Sequence, residues 1–184
     1  IATLEQEIDS RLQQMPPFAE AVIRLDTIPG VGRHTAVLIV AEIGVDMSRF
    51  PSDAHLTAWA GMAPGNNQTG GKQRPTKSRK GNRYLRRGLT QAARAAARTK
   101  ESYMRAMYHR LAARRGKNRA AVAVGRTILQ IAYHLIKRGE SYRDLGSDYF
   151  DRLDRDRTTK RLVDRLSALG FDVDLKERTL PAAA

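Results

Sequence analysis

No cysteine occurs in the 184 residues, which excludes a disulfide-stapled module and any zinc site built on thiolates. No run of about 18 uncharged apolar residues occurs either, so no segment is expected to span a membrane. The chain does not open on Met, and Ile1–Met15 mixes acids with its apolar residues, unlike a secretory leader. Negative charge is scarce in one place only. Residues 72–119 hold 17 Lys/Arg and a single acid, Glu101. Residues 1–71 hold 4 Lys/Arg against 8 Asp/Glu, and residues 120–184 hold 12 against 10. The whole +14 excess, with its sequence pI of about 10.7, therefore comes from one 48-residue block.

A solvated surface interleaves both signs, as the mixed stretch Asp148–Arg157 does. A block without counter-charges repels itself unless a polyanion neutralises it. Nucleic-acid binding by residues 72–119 is the expectation, in a soluble intracellular protein large enough for one domain with appendages.

Along the chain, Ile1, Leu4, Ile8, Leu12 and Met15 recur at helical spacing before Pro16-Pro17. The stripe is in register from the first residue, so this helix is expected to begin upstream. A second helix is expected over residues 18–26. Then comes Ile28-Pro-Gly-Val-Gly32, followed by Ala36 and an apolar run. Its glycines suit a tight turn between crossing helices, and Gly30, Val31 and Gly32 could offer backbone amides to a phosphate. The pattern matches a helix-hairpin-helix; an ordinary helical hairpin with a glycine turn is the alternative. Ser52 is a candidate N-cap for a short helix, and Trp59 within it is expected as a core anchor.

Residues 65–80 contain nothing large and apolar, and read as a long polar loop. From Tyr84 to Lys100 the helical pattern is strongest. Arg87, Arg94 and Arg98 form one stripe, joined by Arg83, with Leu85, Leu89, Ala92 and Ala96 opposite. No Glu stands at i±4 to relieve the arginines. Met104, Met107, Tyr108 and Leu111 are expected in the core rather than as a base-stacking platform. Arg119–Arg138 is the most apolar helix, closed by Gly139, and a further helix is expected over residues 158–169. The end, Phe171–Ala184, is expected to be loosely attached.

Chemistry is sparse. His34, His55, His109 and His134 show no metal-ligand spacing, and Asp148, Asp151, Asp154 and Asp156 interleave with arginines as on a salt-bridged face. In the polar loop, Thr69-Gly-Gly-Lys72 offers a hydroxyl beside a glycine turn and a cation, with Ser78 nearby. Such a hydroxyl can attack a phosphodiester if cations neutralise the charge that develops. On these residues alone, a glycine turn with a polar neighbour is the plainer reading.

Taken together, Ile28-Pro-Gly-Val-Gly, Leu56-Thr-Ala-Trp-Ala-Gly-Met-Ala-Pro-Gly65, Gly70-Gly-Lys72 and Arg79-Lys-Gly-Asn-Arg-Tyr-Leu-Arg86 resemble the C-terminal domain of the IS110/IS116/IS902 family of bacterial transposases. The resemblance covers roughly residues 25–138. It implies a catalytic serine that links covalently to DNA, here replaced by Thr69, with Ser78 as the alternative. It also implies Mg²⁺ held by the carboxylates of an N-terminal RuvC-like domain that has no counterpart in this chain, so no metal or other cofactor is expected here. Double-stranded DNA is the implied partner, together with a structured guide RNA and further copies of the protein.

The expected fold is mostly α-helical: a helix-hairpin-helix followed by a basic loop and a helical bundle. Residues 1–17 are expected as the end of a linker helix, 18–140 as the transposase C-terminal domain, and 141–184 as a charged helical tail. The DNA- or RNA-binding set is Gly30, Val31, Gly32, Lys72, Arg79, Lys80, Arg83, Arg86, Arg87, Arg94 and Arg98. The expected function is DNA binding and strand exchange in the cytoplasm of a bacterium. The alternative is a non-catalytic helix-hairpin-helix module, a scaffold or decayed fragment.

Overall fold

The structure is a computed structural model describing residues 2–64, 68–69, 71–73 and 80–176, with Thr69 and Lys72 described as backbone only. The chain is mostly α-helical, as expected. It divides into two units, Ile1–Ser147 and Asp148–Ala184.

The first unit opens with α1 (Ala2–Gln13), α2 (Pro16–Asp26) and α3 (Arg33–Ile43). α1 ends before Pro16-Pro17 as expected, and the prolines themselves start α2, two residues earlier than expected, because Pro at the first helical positions forfeits only an N–H that has no partner there. A 3₁₀ turn (Met47–Arg49) leads to α4 (Asp53–Trp59), which Ser52 caps by accepting the His55 N–H. Two short strands, β1 (Gln68–Thr69) and β2 (Lys72–Gln73), pair antiparallel with Thr69 opposite Lys72. Then come α5 (Arg83–Ala96), α6 (Tyr103–Arg115) and the longest helix, α7 (Lys117–Arg138).

α7 runs through the middle of this unit and packs on α2, α4, α5 and α6. Val124, Ile128, Leu129 and Ala132 are wholly buried along it. Beside this apolar contact α7 makes two polar pairs with the segment around α4. Gln130 donates to Asp53, and the Tyr133 hydroxyl donates to the Phe50 carbonyl at 3.2 Å. Leu25, Ile28, Ile39, Ile43, Leu56, Leu85 and Leu89 complete the core, as the apolar spacing of their helices requires.

Trp59 departs from expectation. It is 46% exposed and meets only the edge of the apolar body, its ring tilted on Phe50 at 5.7 Å between centroids. Leu56 and Ala60 take the buried positions instead. The α4 face turned toward α7 is therefore set by small and aliphatic side chains. Met104 and Tyr108 do enter the core, with Met107 and Leu111 partly buried against it.

Residues 140–147 stay with the first unit. The Tyr142 N–H donates to the Thr27 hydroxyl at 2.9 Å, and Asp144 accepts the Tyr103 N–H at 2.9 Å at the start of α6. The second unit holds α8 (Tyr149–Leu153) and α9 (Arg155–Ala168). Neither has a buried residue. Its acids pair locally, Asp148 with Arg152 at 3.1 Å and Asp154 with Arg157 at 3.9 Å, as a salt-bridged face should.

Candidate nucleic-acid interface

Three contacts build the interface from below, and each involves a residue too small or too polar to be core. Gly81 lies directly on the backbone of Ala60 and Gly61, where any Cβ would overlap main-chain atoms. The two ends of the 62–80 segment are thereby held together at the foot of α4. Asn82 follows. Its Oδ1 accepts the N–H groups of Tyr84 and Leu85, each at 3.0 Å, and its Nδ2 donates to Glu42 on α3. The N-terminus of α5 is thus capped and fixed to α3 by one side chain. Gly30 makes the third contact. At φ +83° it closes the α2–α3 turn against α5, and a Cβ there would overlap the Ala92 carbonyl and the Ala96 backbone.

These contacts order α5 against α3 in opposite directions: Gly30 near Ala92 and Ala96, Leu38 against Gly88, Glu42 at Asn82. Leu85, Gly88, Leu89, Ala92, Ala93 and Ala96 face inward. Arg83, Arg87 and Arg94 are exposed on the helix, and Arg98 is exposed just beyond its last residue. The Arg83 guanidinium lies 4.8 Å from the centre of the Tyr84 ring and donates to its hydroxyl at 2.8 Å. Arg94 donates to the side-chain oxygen of Asn118 on α7 at 3.2 Å. Neither Arg83, Arg87, Arg94 nor Arg98 has an acidic partner among the described residues. Lys80, exposed before Gly81, extends this positive surface to the foot of the loop. Arg86 is different, being half-buried and already engaged.

The α2–α3 turn distributes its backbone groups unevenly. The Val31 N–H donates to the Ile28 carbonyl at 2.9 Å, and the Val31 side chain is buried. That amide is spent inside the turn. Gly32 is exposed and stands at the N-cap of α3, where no side chain caps the helix and no acid occupies the first turn. Arg33, the first helical residue, pairs with Asp9 of α1. Thr69 and Lys72 face each other across the β1–β2 pair as backbone. Ser78 and Arg79 lie outside the described residues.

The first turns of α3, α5 and α7 share one trait: none contains an acid. The helix dipole favours anions at that end, so Arg33, Arg83, Lys117 and Arg119 sit where folding alone would prefer Asp or Glu. Inside α7, the Arg126 Nε is buried with no acceptor among the described residues. No group of three or more His, Asp or Glu side chains stands together to hold a metal ion among the described residues.

The motif residues without charge, Gly81 and Asn82, carry most of this geometry. A sequence reading centred on cations gives them no role. An Asn directly before an amphipathic helix is their one local signal.

Residues 23–109 match the Transposase IS116/IS110/IS902 family. Over this stretch the chain belongs to that family. It is 33% identical over 145 residues to the transposase for insertion sequence element IS1111A of Coxiella burnetii, and 32% identical over 148 residues to a probable family 20 transposase of Pseudomonas aeruginosa. Those alignments take in 74% and 78% of this chain but only 38% and 42% of the relatives. The chain thus spans about two fifths of their length. A pilin gene-inverting protein of Moraxella bovis is 36% identical over 70 residues, covering 38% of this chain and 21% of that protein. The family match closes at His109, so the whole of α7, the helix on which the matched region packs, lies beyond it.

Proposed function

We propose that this chain is the DNA-gripping and strand-exchange part of an insertion-sequence transposase. The observation that carries the reading is the exposed, acid-free arginine face of α5, held rigidly by Gly30, Gly81 and Asn82 beneath it. Arginines in a fixed row suit a phosphate backbone, which positions the duplex without reading bases. The uncapped, acid-free start of α3 at Gly32 supports a second phosphate contact of the helix-hairpin-helix kind, made by first-turn N–H groups. Gly30 and Val31 serve that contact by shaping the turn.

In this proposal Thr69 supplies the nucleophile. Its hydroxyl oxygen bonds to a phosphodiester phosphorus, the bond from phosphorus to one sugar oxygen breaks, and that oxygen leaves with a proton while Thr69 loses its own. Lys72, Arg79 and Lys80 neutralise the charge that builds on the phosphate. The Mg²⁺ that the family resemblance implies is assigned to carboxylates outside these residues, and none of these steps passes through it. Guide RNA and partner copies belong to the same proposal, as does action in the bacterial cytoplasm.

One observation favours the non-catalytic reading as a second: a threonine stands where the family serine is expected, and its β-methyl restricts χ1 and crowds in-line attack. Covalent capture separates the two. In a protein extended to the length of its relatives, Thr69→Ala is expected to abolish a covalent DNA adduct and Thr69→Ser to keep or raise it. An adduct that survives Thr69→Ala puts the nucleophile elsewhere, with Ser78→Ala the next variant. Absence of any adduct from the parent and the Thr69→Ser protein supports the scaffold reading.

A further inference from the structure

A second cationic surface adjoins α5 at the joint where α6 hands over to α7. Gly116, at φ +82°, ends the one and starts the other. Arg114, Arg115, Lys117 and Arg119 crowd into six positions around it, and all are exposed. None of the four has an ion pair among the described residues.

The joint is also rigid. Ala120 and Ala121, directly after it, are wholly buried, and Asn118 accepts a hydrogen bond from Arg94 of α5. Arg94 therefore links the α5 face to the joint. Mutual repulsion works against this cluster in the free protein, and the α7 dipole disfavours Lys117 and Arg119, although Arg114 and Arg115 sit at the favourable C-terminal end of α6. A partner that supplies negative charge reverses both effects.

We infer that the α6–α7 joint is a second backbone clamp for duplex DNA, continuous with the α5 face. The inference rests on the reading that α5 grips DNA. The choice of a duplex comes from what the joint lacks. Residues 113–119 carry no aromatic ring and no large apolar side chain. Single strands are held by stacking their bases on such rings, and protein partners by burying apolar surface, whereas a duplex offers phosphates alone to a surface of this kind. Contacts made here are accordingly independent of base sequence.

The test is a titration of the 184-residue chain with a mixed-sequence duplex of about 25 base pairs at several salt concentrations. The variant replaces Arg114, Arg115, Lys117 and Arg119 with Gln; all four are exposed, and circular dichroism verifies the fold. Each lost phosphate contact lowers the slope of log K against log salt by about 0.9, so the quadruple variant is expected to lower it by about 3 to 4. A scrambled duplex should lose binding equally, and a single strand of the same length should lose less. An unchanged slope in this variant, when an α5 variant (Arg83, Arg87 and Arg94 to Ala) does lower it, overturns the clamp and leaves the α5 reading intact. Unchanged slopes in both overturn the two together. A larger loss for the single strand than for the duplex overturns the duplex assignment.

Discussion

Asn82 and Glu42 lie forty positions apart in the chain and share a hydrogen bond that fixes the start of α5 against α3. Through its other side-chain atom Asn82 caps α5, so one residue sets both the beginning and the placement of the helix that presents the arginine row. Gly81 beside it seals the foot of the polar loop. The arginine row therefore springs from an anchored tripeptide, Gly81-Asn82-Arg83.

Asn82→Ala is expected to cost about 1 to 2 kcal/mol of stability through the lost cap. Asn82→Asp keeps a capping oxygen but brings a second carboxylate to Glu42. Two carboxylates sharing a site raise the pKa of one of them, and a raised carboxyl pKa contributes stability that is lost as pH rises through it. The Asp variant should therefore recover stability relative to the parent at acidic pH, near the carboxylate range, and lose it toward neutrality. Urea unfolding of parent and variant between pH 4 and 8 checks this. An Asp variant as stable as the parent at neutral pH would show that Glu42 is not its neighbour.

The two glycines of the α2–α3 turn should respond very unequally to alanine. Gly30 has a positive φ and main-chain atoms of Ala92 and Ala96 where a Cβ would go. Gly30→Ala must push the turn off α5, and is expected to cost several kcal/mol, above the 1 to 3 kcal/mol typical of backbone strain alone. Gly32 has extended backbone and nothing within 4 Å of an added Cβ. Gly32→Ala is expected to cost about 1 kcal/mol or less, as a weakened N-cap position. Thermal or urea unfolding of the pair decides it, and equal losses would contradict the packing of Gly30 on α5.

Tyr142 offers a test at high pH. Burial first, and then the Asp144 carboxylate that its hydroxyl meets at 3.2 Å, raise its phenol well above the ordinary range. Its neutral form is favoured in the fold, so its contribution is fully present below the ordinary tyrosine pKa of about 10 and is lost as pH rises beyond it. Stability should fall above pH 10, and Tyr142→Phe should flatten that fall. Ultraviolet titration of tyrosinate, with unfolding measured at pH 9 and 11, reads both. A variant that loses stability with pH as steeply as the parent would place the titrating group elsewhere.

The sequence was most readable where periodicity and charge agree. The arginine and aliphatic faces of α5, the buried length of α7, the Ser52 cap and the Gly139 stop all follow from local pattern, and the structure places them so. Trp59 reads as core because it is a large aromatic, while the spacing of Leu56 and Ala60 decides which side of a two-turn helix faces inward. Pro16 opens α2 because proline disrupts a helix interior but not its first turn. The Asn82–Glu42 bond, the seat of Gly81 and the Arg94–Asn118 link join distant segments and have no local signature. The occupied Val31 amide belongs with them, since a glycine turn in sequence does not say which of its N–H groups the turn itself consumes.

The central claim is that the outward face of α5 grips a nucleic-acid backbone, and one titration bears on it most directly. Binding of a mixed-sequence duplex to the parent chain and to the Arg83→Ala, Arg87→Ala, Arg94→Ala triple variant is compared across salt concentrations. The account predicts weaker binding and a slope of log K against log salt shallower by about 2 to 3, with circular dichroism unchanged. A triple variant that binds with the parent's affinity and the parent's slope would remove α5 from the interface and contradict the account.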